Sequence, residues 1–120
     1  MVENKESKNK GICIGKLSPV YIPISNFDVH PYIFYHDNIP KIYPNKTEVN
    51  DYFSISITDI LNPSSTRKFN YKNEKGIIIK DIPCFNIKGK IIWGATALII
   101  SELKQIVTTI KNYNQKEEQL

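Results

Sequence analysis

The sequence predicts an α+β fold, in which a mixed and mostly antiparallel sheet carries one long carboxy-terminal helix. Two observations lead to this prediction. Apolar residues recur every three or four positions in residues 94–112, which is the period of an amphipathic helix, whereas short apolar runs between turn-forming residues fill the preceding segments. A chain of 120 residues, 41% of them hydrophobic, suits one globular core. We therefore expect one domain over residues 11–113, between polar tails at residues 1–10 and 114–120.

The predicted helix is the element around which the rest of the domain is arranged. Its opposite side is polar, with Glu102, Lys104 and Lys111 among the residues. A helix of this length gains most of its stability from packing rather than from intrinsic propensity, so its apolar stripe needs a surface to lie on. The stripe consists of Ala95, Ile99, Leu103, Ile106, Val107 and Ile110.

The first half of the domain should contain two strands with a loop between them. Residues 12–17 form the first strand, which ends at Ser18-Pro19. Residues 21–26 are predicted to be an ordered loop, and residues 28–35 a strand that places Pro31 at an edge or a bulge, because proline has no N–H for the ladder. Residues 36–47 have the composition of a loop.

The second half should alternate strands with tight turns. We expect a strand at residues 49–57, one helical turn at residues 58–61 capped by Thr58-Asp59, and further strands from Arg67 onward. Turns are predicted at residues 73–76 and at Lys88-Gly89, the second within a hairpin that leads into the helix. The continuous apolar run at residues 77–79 is typical of a strand that is buried on both faces of a sheet. The single long helix can cover only one of those faces.

Composition and charge exclude some classes of protein and name no partner. The formal net charge of +4 comes mostly from scattered lysines, which favour an anionic ligand slightly or simply solvate the surface. Cys13 and Cys84 match no metal or redox spacing and are expected to be buried thiols. The polar amino terminus and the absence of a long uncharged apolar run indicate a cytoplasmic protein that does not enter a membrane.

Candidate chemical groups occur singly. Within the predicted domain the closest pair of acids is Glu48 and Asp51, and Glu102 is expected to be solvated. His30 either satisfies a backbone carbonyl within a strand or acts as an acid or base. The Ser25-Asn26 pair either orients a ligand or closes its own turn.

Nucleic-acid binding is a further hypothesis, because Tyr32, Phe34, Tyr35 and Tyr71 lie near lysines and could stack on bases. These aromatic residues alternate with isoleucines as core strands do, and no nucleic-acid-binding motif is present. We therefore do not expect nucleic acid as a partner.

Three segments together resemble the carboxy-terminal half of Nudix hydrolases of the coenzyme A pyrophosphatase type. They read LSPVYIPISNFDVHPYI at residues 17–33, PNKTEVNDYFSISITDILNP at residues 44–63 and IPCFNIKGKIIWGATALIISEL at residues 82–103. The IPISNF, VHP and IWGATA pieces are the most specific for this subgroup. The resemblance covers nearly all of the chain after Gly11.

The resemblance implies a partial α/β/α sandwich in which the long helix covers one face and a Nudix helix covers the other. In the family, the Nudix box binds the magnesium or manganese that activates water against a diphosphate, and these 120 residues contain no such box. By resemblance, Glu48 is the acid of the EV motif and a candidate metal ligand. Tyr21, Ser25 and Asn26 correspond to a loop near the substrate, and Lys41 and Lys46 could face a polyanionic nucleotide.

The first functional hypothesis is therefore the carboxy-terminal portion of a hydrolase that cleaves the diphosphate of coenzyme A or a related nucleoside diphosphate derivative. Without the box's carboxylates we expect no catalysis, and no cofactor, from this chain alone. The alternative is a non-catalytic binding or self-assembly module built on the half-domain, because an uncovered sheet face favours association with a partner or a second copy.

Overall fold

A computed structural model of the chain describes residues 2–3, 11–45, 47 and 52–118, and it has the predicted α+β architecture. Short strands precede one long helix, and every strand pairing in the described residues is antiparallel. The strands are β1 (Val2–Glu3), β2 (Ile12–Lys16), β3 (Val20–Ile22), β4 (Phe27–Val29), β5 (Tyr32–Tyr35), β6 (Tyr43–Pro44), β7 (Thr66–Lys72), β8 (Ile78–Ile87) and β9 (Lys90–Ile92). The helices are α1 (Ile57–Leu61) and α2 (Gly94–Glu118), with a 3-10 turn at Pro63–Ser65.

The described strands form four separate sheets rather than one. Strand β1 pairs with β6, β2 with β5 and β3 with β4, while β7, β8 and β9 form a three-stranded sheet in that order. An isolated two-stranded ribbon is marginally stable in water. The three-stranded sheet and α2 are therefore the main source of stability.

Two predicted strands differ from the structure. The strand expected at residues 28–35 is interrupted at His30-Pro31, so β4 pairs with β3 while β5 pairs with β2. Proline lacks the donor that a continuous ladder needs, and the chain changes partner at that point. Residues 52–56, expected in a second strand, form no strand. Instead Ser56 caps α1, because its hydroxyl accepts a hydrogen bond from the Asp59 N–H at 3.0 Å.

The β7–β8 and β8–β9 hairpins have their turns where the sequence predicts them. Lys88 and Gly89, with φ of 51° and 80°, form the turn between β8 and β9. Positive φ at both central residues is the backbone of the tight hairpin turn that matches strand twist, and glycine adopts it without strain. The turn places Phe85 opposite Ile92 and delivers the chain to Gly94, where α2 begins.

Strand β8 is longer than its neighbour β9, which leaves part of one edge open. Only its residues from Phe85 to Ile87 pair with β9. A bulge at Asp81, which has φ of 58°, interrupts the other edge against β7, and the Asp81 N–H donates to Asn70 Oδ1 at 3.1 Å. A bulge, a lysine at position 80 and a proline at position 83 are devices that discourage pairing with a foreign strand.

The core is small and lies between the three-stranded sheet, α1 and the first turns of α2. Its buried side chains are Ile60, Phe85, Ile87 and Ile92, and the half-buried Ile55, Ala97 and Ile100 pack against them. Four residues of the predicted stripe of α2 are half-buried, namely Ala95, Ile99, Leu103 and Val107, and Ala97 and Ile100 beside the stripe pack on the core. Further along α2, Ile106 and Ile110 are 39% and 54% exposed. The helix also continues to Glu118, beyond the predicted end at residue 112.

The segment between β2 and β3 is tied to α2 by the Glu102 carboxylate. The Ser18 N–H donates to Glu102 Oε2 at 3.0 Å and to Oε1 at 3.2 Å, and the Ser18 hydroxyl donates to Oε1 at 2.8 Å. Glu102 is half-buried, so the expectation that it is merely solvated is wrong. Next to Ser18, Leu17 is buried at 6% exposure. This contact holds the amino-terminal ribbons against the helix.

Many large apolar side chains of the amino-terminal half are exposed. On the β2–β5 ribbon, Ile12, Ile14 and Phe34 are 66%, 63% and 58% exposed. Single exposed hydrophobic residues are ordinary, but a ribbon that presents several together is typical of a surface that contacts something else. Within the described residues, neither helix combines the length and apolarity that a membrane crossing requires.

Candidate functional site

The residues expected near a substrate meet at one hairpin. Tyr21 lies in β3, rather than in a loop as expected, and Ser25 and Asn26 lie in the turn that leads to β4. The Tyr21 hydroxyl donates to Asn26 Oδ1 at 2.6 Å, and the Asn26 N–H donates to the Ile22 carbonyl at 2.9 Å. The Ser25 hydroxyl reaches the same carbonyl at 3.5 Å. The three predicted residues therefore form one hydrogen-bonded cluster.

The backbone explains why asparagine stands at the end of this turn. Asn26 has φ of 58°, a left-handed conformation that asparagine tolerates better than most side chains. Its side-chain oxygen is already engaged by Tyr21, and all three residues are exposed. The cluster closes its own turn, and any ligand would have to bind on the outside of the hairpin.

Glu48, the candidate metal ligand, and Lys46 lie outside the described residues. Among the residues that are described, no group of three or more His, Cys, Asp or Glu side chains could hold a metal ion. Glu102 is engaged by Ser18, and Asp59 faces Lys88 at 3.9 Å between carboxylate and ammonium. These acids do not fit a magnesium site, and no metal-dependent step follows from them.

The two histidines differ in burial. His30, expected within a strand, is exposed and lies where the chain leaves β4 and changes strand partner. His36 is half-buried, and its Nδ1 atom is buried with no hydrogen-bond partner in the part of the chain that the structure describes. A side chain at Gly11 would collide with the His36 ring. The His36 ring therefore packs against the backbone at Gly11.

A distinct apolar cleft lies between β8 and the first turns of α2. It has a volume of about 400 Å³, within the range of small-molecule pockets. The walls combine strand residues with residues from successive turns of α2. The lining residues are Thr66, Ile82, Pro83, Cys84, Phe85, Trp93, Gly94, Ala97, Leu98 and Ser101.

Trp93 is fixed at one end of the apolar cleft by other aromatic rings. Its ring lies 5.4 Å from Phe69, edge to face, and 5.1 Å from Tyr71, measured between centroids. Such pairs are favourable beyond the area that they bury. Trp93 nevertheless stays 42% exposed, so part of its surface is available inside the cleft.

Lys104 brings a positive charge to the walls of the same cleft. Its Nζ atom lies 3.4 Å from Thr66 Oγ1 and 5.8 Å from the centroid of the Phe85 ring, and both of these residues line the cleft. The sequence alone does not predict this site. Its only local signal is the Trp93-Gly94 junction next to small residues on α2, whereas Lys104 and Thr66 are 38 positions apart.

Lys41, which could face a nucleotide by resemblance, lines a second and more open pocket of about 320 Å³. Tyr43 and Tyr52 line it too. Tyr21, Ser25 and Asn26 are not among the residues that line this pocket.

The fold and this cleft define the class of the molecule as an α+β protein with an apolar cleft beside its long helix. Comparison with known proteins adds no family, since no family, curated protein or solved structure matches the chain.

Proposed function

We propose that this chain is the carboxy-terminal portion of a Nudix-type hydrolase that cleaves the diphosphate of coenzyme A or a related nucleoside diphosphate derivative, and that it is inactive alone because its residues include no Nudix box. The order of elements supports the proposal: a hairpin, a capped turn, two long strands and a helix that starts at Gly94. A cytoplasmic location is part of the same proposal.

The observation that carries the proposal is a run of uncovered apolar side chains in the carboxy-terminal sheet region. Ile77, Ile78 and Ile79 are 57%, 56% and 47% exposed. A further layer of the domain would cover such a run, and the apolar pattern of the sequence predicts that layer at these residues.

The test is hydrolysis of coenzyme A in the presence of magnesium. We expect the purified chain to release no adenosine 3′,5′-bisphosphate, because its described acids offer no metal site and transition-state stabilisation by a metal contributes several kcal/mol. An intact Nudix coenzyme A hydrolase, assayed in parallel, serves as the positive control. Turnover by the chain alone that survives Glu48→Gln would contradict the proposal.

A second test distinguishes a fragment of a Nudix hydrolase from an unrelated protein. The nucleotide sequence that precedes the coding region is expected to encode a Nudix box in one of its frames. Supplying that box as a separate polypeptide should then restore hydrolysis. The proposed ancestry would be contradicted if the upstream sequence were unrelated and if no added Nudix box restored hydrolysis.

The exposed β2–β5 ribbon favours a second candidate, a self-assembly module. Obligate homodimer interfaces bury 2000 Å² or more in total and are rich in apolar side chains, as Ile12, Ile14 and Phe34 are here. Under this candidate, light scattering should give a defined mass of twice 13.9 kDa. Ile14→Lys with Phe34→Lys should return the monomer. Open-ended aggregation of the parent chain would favour the fragment instead.

A further inference from the structure

The apolar cleft has polar groups at only one of its ends. On α2, Ala97, Ser101 and Lys104 are spaced four and three positions apart, so they lie along one face of the helix. Ala97 and Ser101 line the cleft, and Lys104 reaches the lining residue Thr66. This face of α2 therefore runs from the apolar surroundings of Trp93 to the Ser101 hydroxyl and the Lys104 ammonium group. The Thr66 hydroxyl of β7 lies beside that ammonium group.

No carboxylate of the described residues neutralises the ammonium group of Lys104. Lys104 is half-buried, and in the described part of the chain its contacts are the Thr66 hydroxyl and the Phe85 ring, with no carboxylate within ion-pair distance. Glu102, two positions earlier, does not share its face and is engaged by Ser18. A partly buried cation without an acid attracts an anionic group.

We propose that the apolar cleft binds a long-chain carboxylate, with its head group at Lys104, Ser101 and Thr66 and its alkyl chain along Leu98 toward Trp93. The ten helical steps from Gly94 to Lys104 span about 15 Å, which matches an extended dodecyl chain. The wall residues Ile82, Pro83 and Leu98 offer no charge to the alkyl chain. This site needs no Nudix box, so it does not rest on the proposed function.

The single tryptophan of the chain makes the site measurable, since Trp93 lines the cleft. Titration with dodecanoate, kept below its critical micelle concentration, should change the fluorescence emission of Trp93 until the site is saturated. Dodecanol and dodecyltrimethylammonium carry the same alkyl chain with a neutral or a positive head group. We expect dodecanoate to bind about tenfold more tightly than either, as one charge-assisted hydrogen bond provides.

Two substitutions separate the head group from the alkyl chain. Lys104→Gln should remove the preference for dodecanoate over dodecanol while leaving dodecanol binding unchanged. Leu98→Asp, at a position that is 61% exposed and so compatible with folding, should weaken binding of the uncharged dodecanol at least tenfold. Lys111→Gln, on an exposed part of α2, is the matched control and should change nothing.

Several outcomes would overturn the proposal. One is the absence of a saturable Trp93 response. Another is equal affinity for dodecanoate and dodecyltrimethylammonium, which would indicate unspecific apolar binding. A preference for dodecanoate that persists in Lys104→Gln, or binding to anionic vesicles without binding to monomeric dodecanoate, would also contradict it.

Discussion

Phe85→Ala is expected to leave the chain only marginally stable at room temperature. Phe85 is 5% exposed and lies at the centre of the core with Ile60, Ile87 and Ile92. Truncating a buried phenylalanine to alanine costs about 3–5 kcal/mol. Small domains are stable by about 5–15 kcal/mol, and a core of so few buried residues belongs at the low end of that range. Urea denaturation followed by far-UV circular dichroism measures the loss.

The matched control is Phe34→Ala on the β2–β5 ribbon. Phe34 is the same residue type in a strand, but it is 58% exposed, so its truncation removes little buried surface. We expect the free energy of unfolding to change by less than about 1 kcal/mol. Equal losses at Phe34 and Phe85 would mean that a larger assembly buries the ribbon, and that the core described here is not what holds the chain together.

The turns could be predicted from sequence because their residues act locally. At the turn between β7 and β8, the Asn73 side chain accepts hydrogen bonds from the N–H groups of Lys75 and Ile77, both at 2.9 Å. Asparagine makes such contacts with its own backbone wherever it stands. Glycine at position 89 likewise supplies a positive φ that needs no tertiary contact. The start of α2 follows from these turns.

The face of α2 that meets the core could not be predicted, because it depends on distant residues. Periodicity gave a stripe through Ala95 and Ile99, yet Ala97 and Ile100 pack on the core. The β8–β9 hairpin and α1 decide that rotation, and their positions are not encoded in the helix itself. A sequence with apolar residues at 95, 97, 99 and 100 offers several faces to the same sheet.

The candidate site also has a part that the sequence predicts and a part that it does not. Tyr21 and Asn26 lie five positions apart, so a short loop or hairpin was enough to bring them together. The apolar cleft joins residues from β7, β8 and α2, and Lys104 meets Thr66 only through the tertiary fold. A site built from residues that are distant in the sequence has no characteristic spacing, so a single sequence does not predict it.

The second large effect is expected at Glu102. Glu102→Ala should lower the free energy of unfolding by about 1–3 kcal/mol, because it leaves the Ser18 N–H and hydroxyl without their charged acceptor. The carboxylate accepts three hydrogen bonds from Ser18, across 84 positions of sequence. The segment that carries Ser18 should also become less protected against amide hydrogen exchange, since this contact links it to α2.

A double-mutant cycle identifies the contact as the cause. Ser18→Ala removes one of the three hydrogen bonds, the one from the hydroxyl at 2.8 Å, and combined with Glu102→Ala it should cost less than the sum of the two single changes by about 0.5–1 kcal/mol. Glu74→Ala, at an exposed turn position, removes the same charge without a described partner and should be neutral. Additive losses at Ser18 and Glu102 would show that the two side chains act separately, and that this contact is not what holds the amino-terminal ribbons to α2.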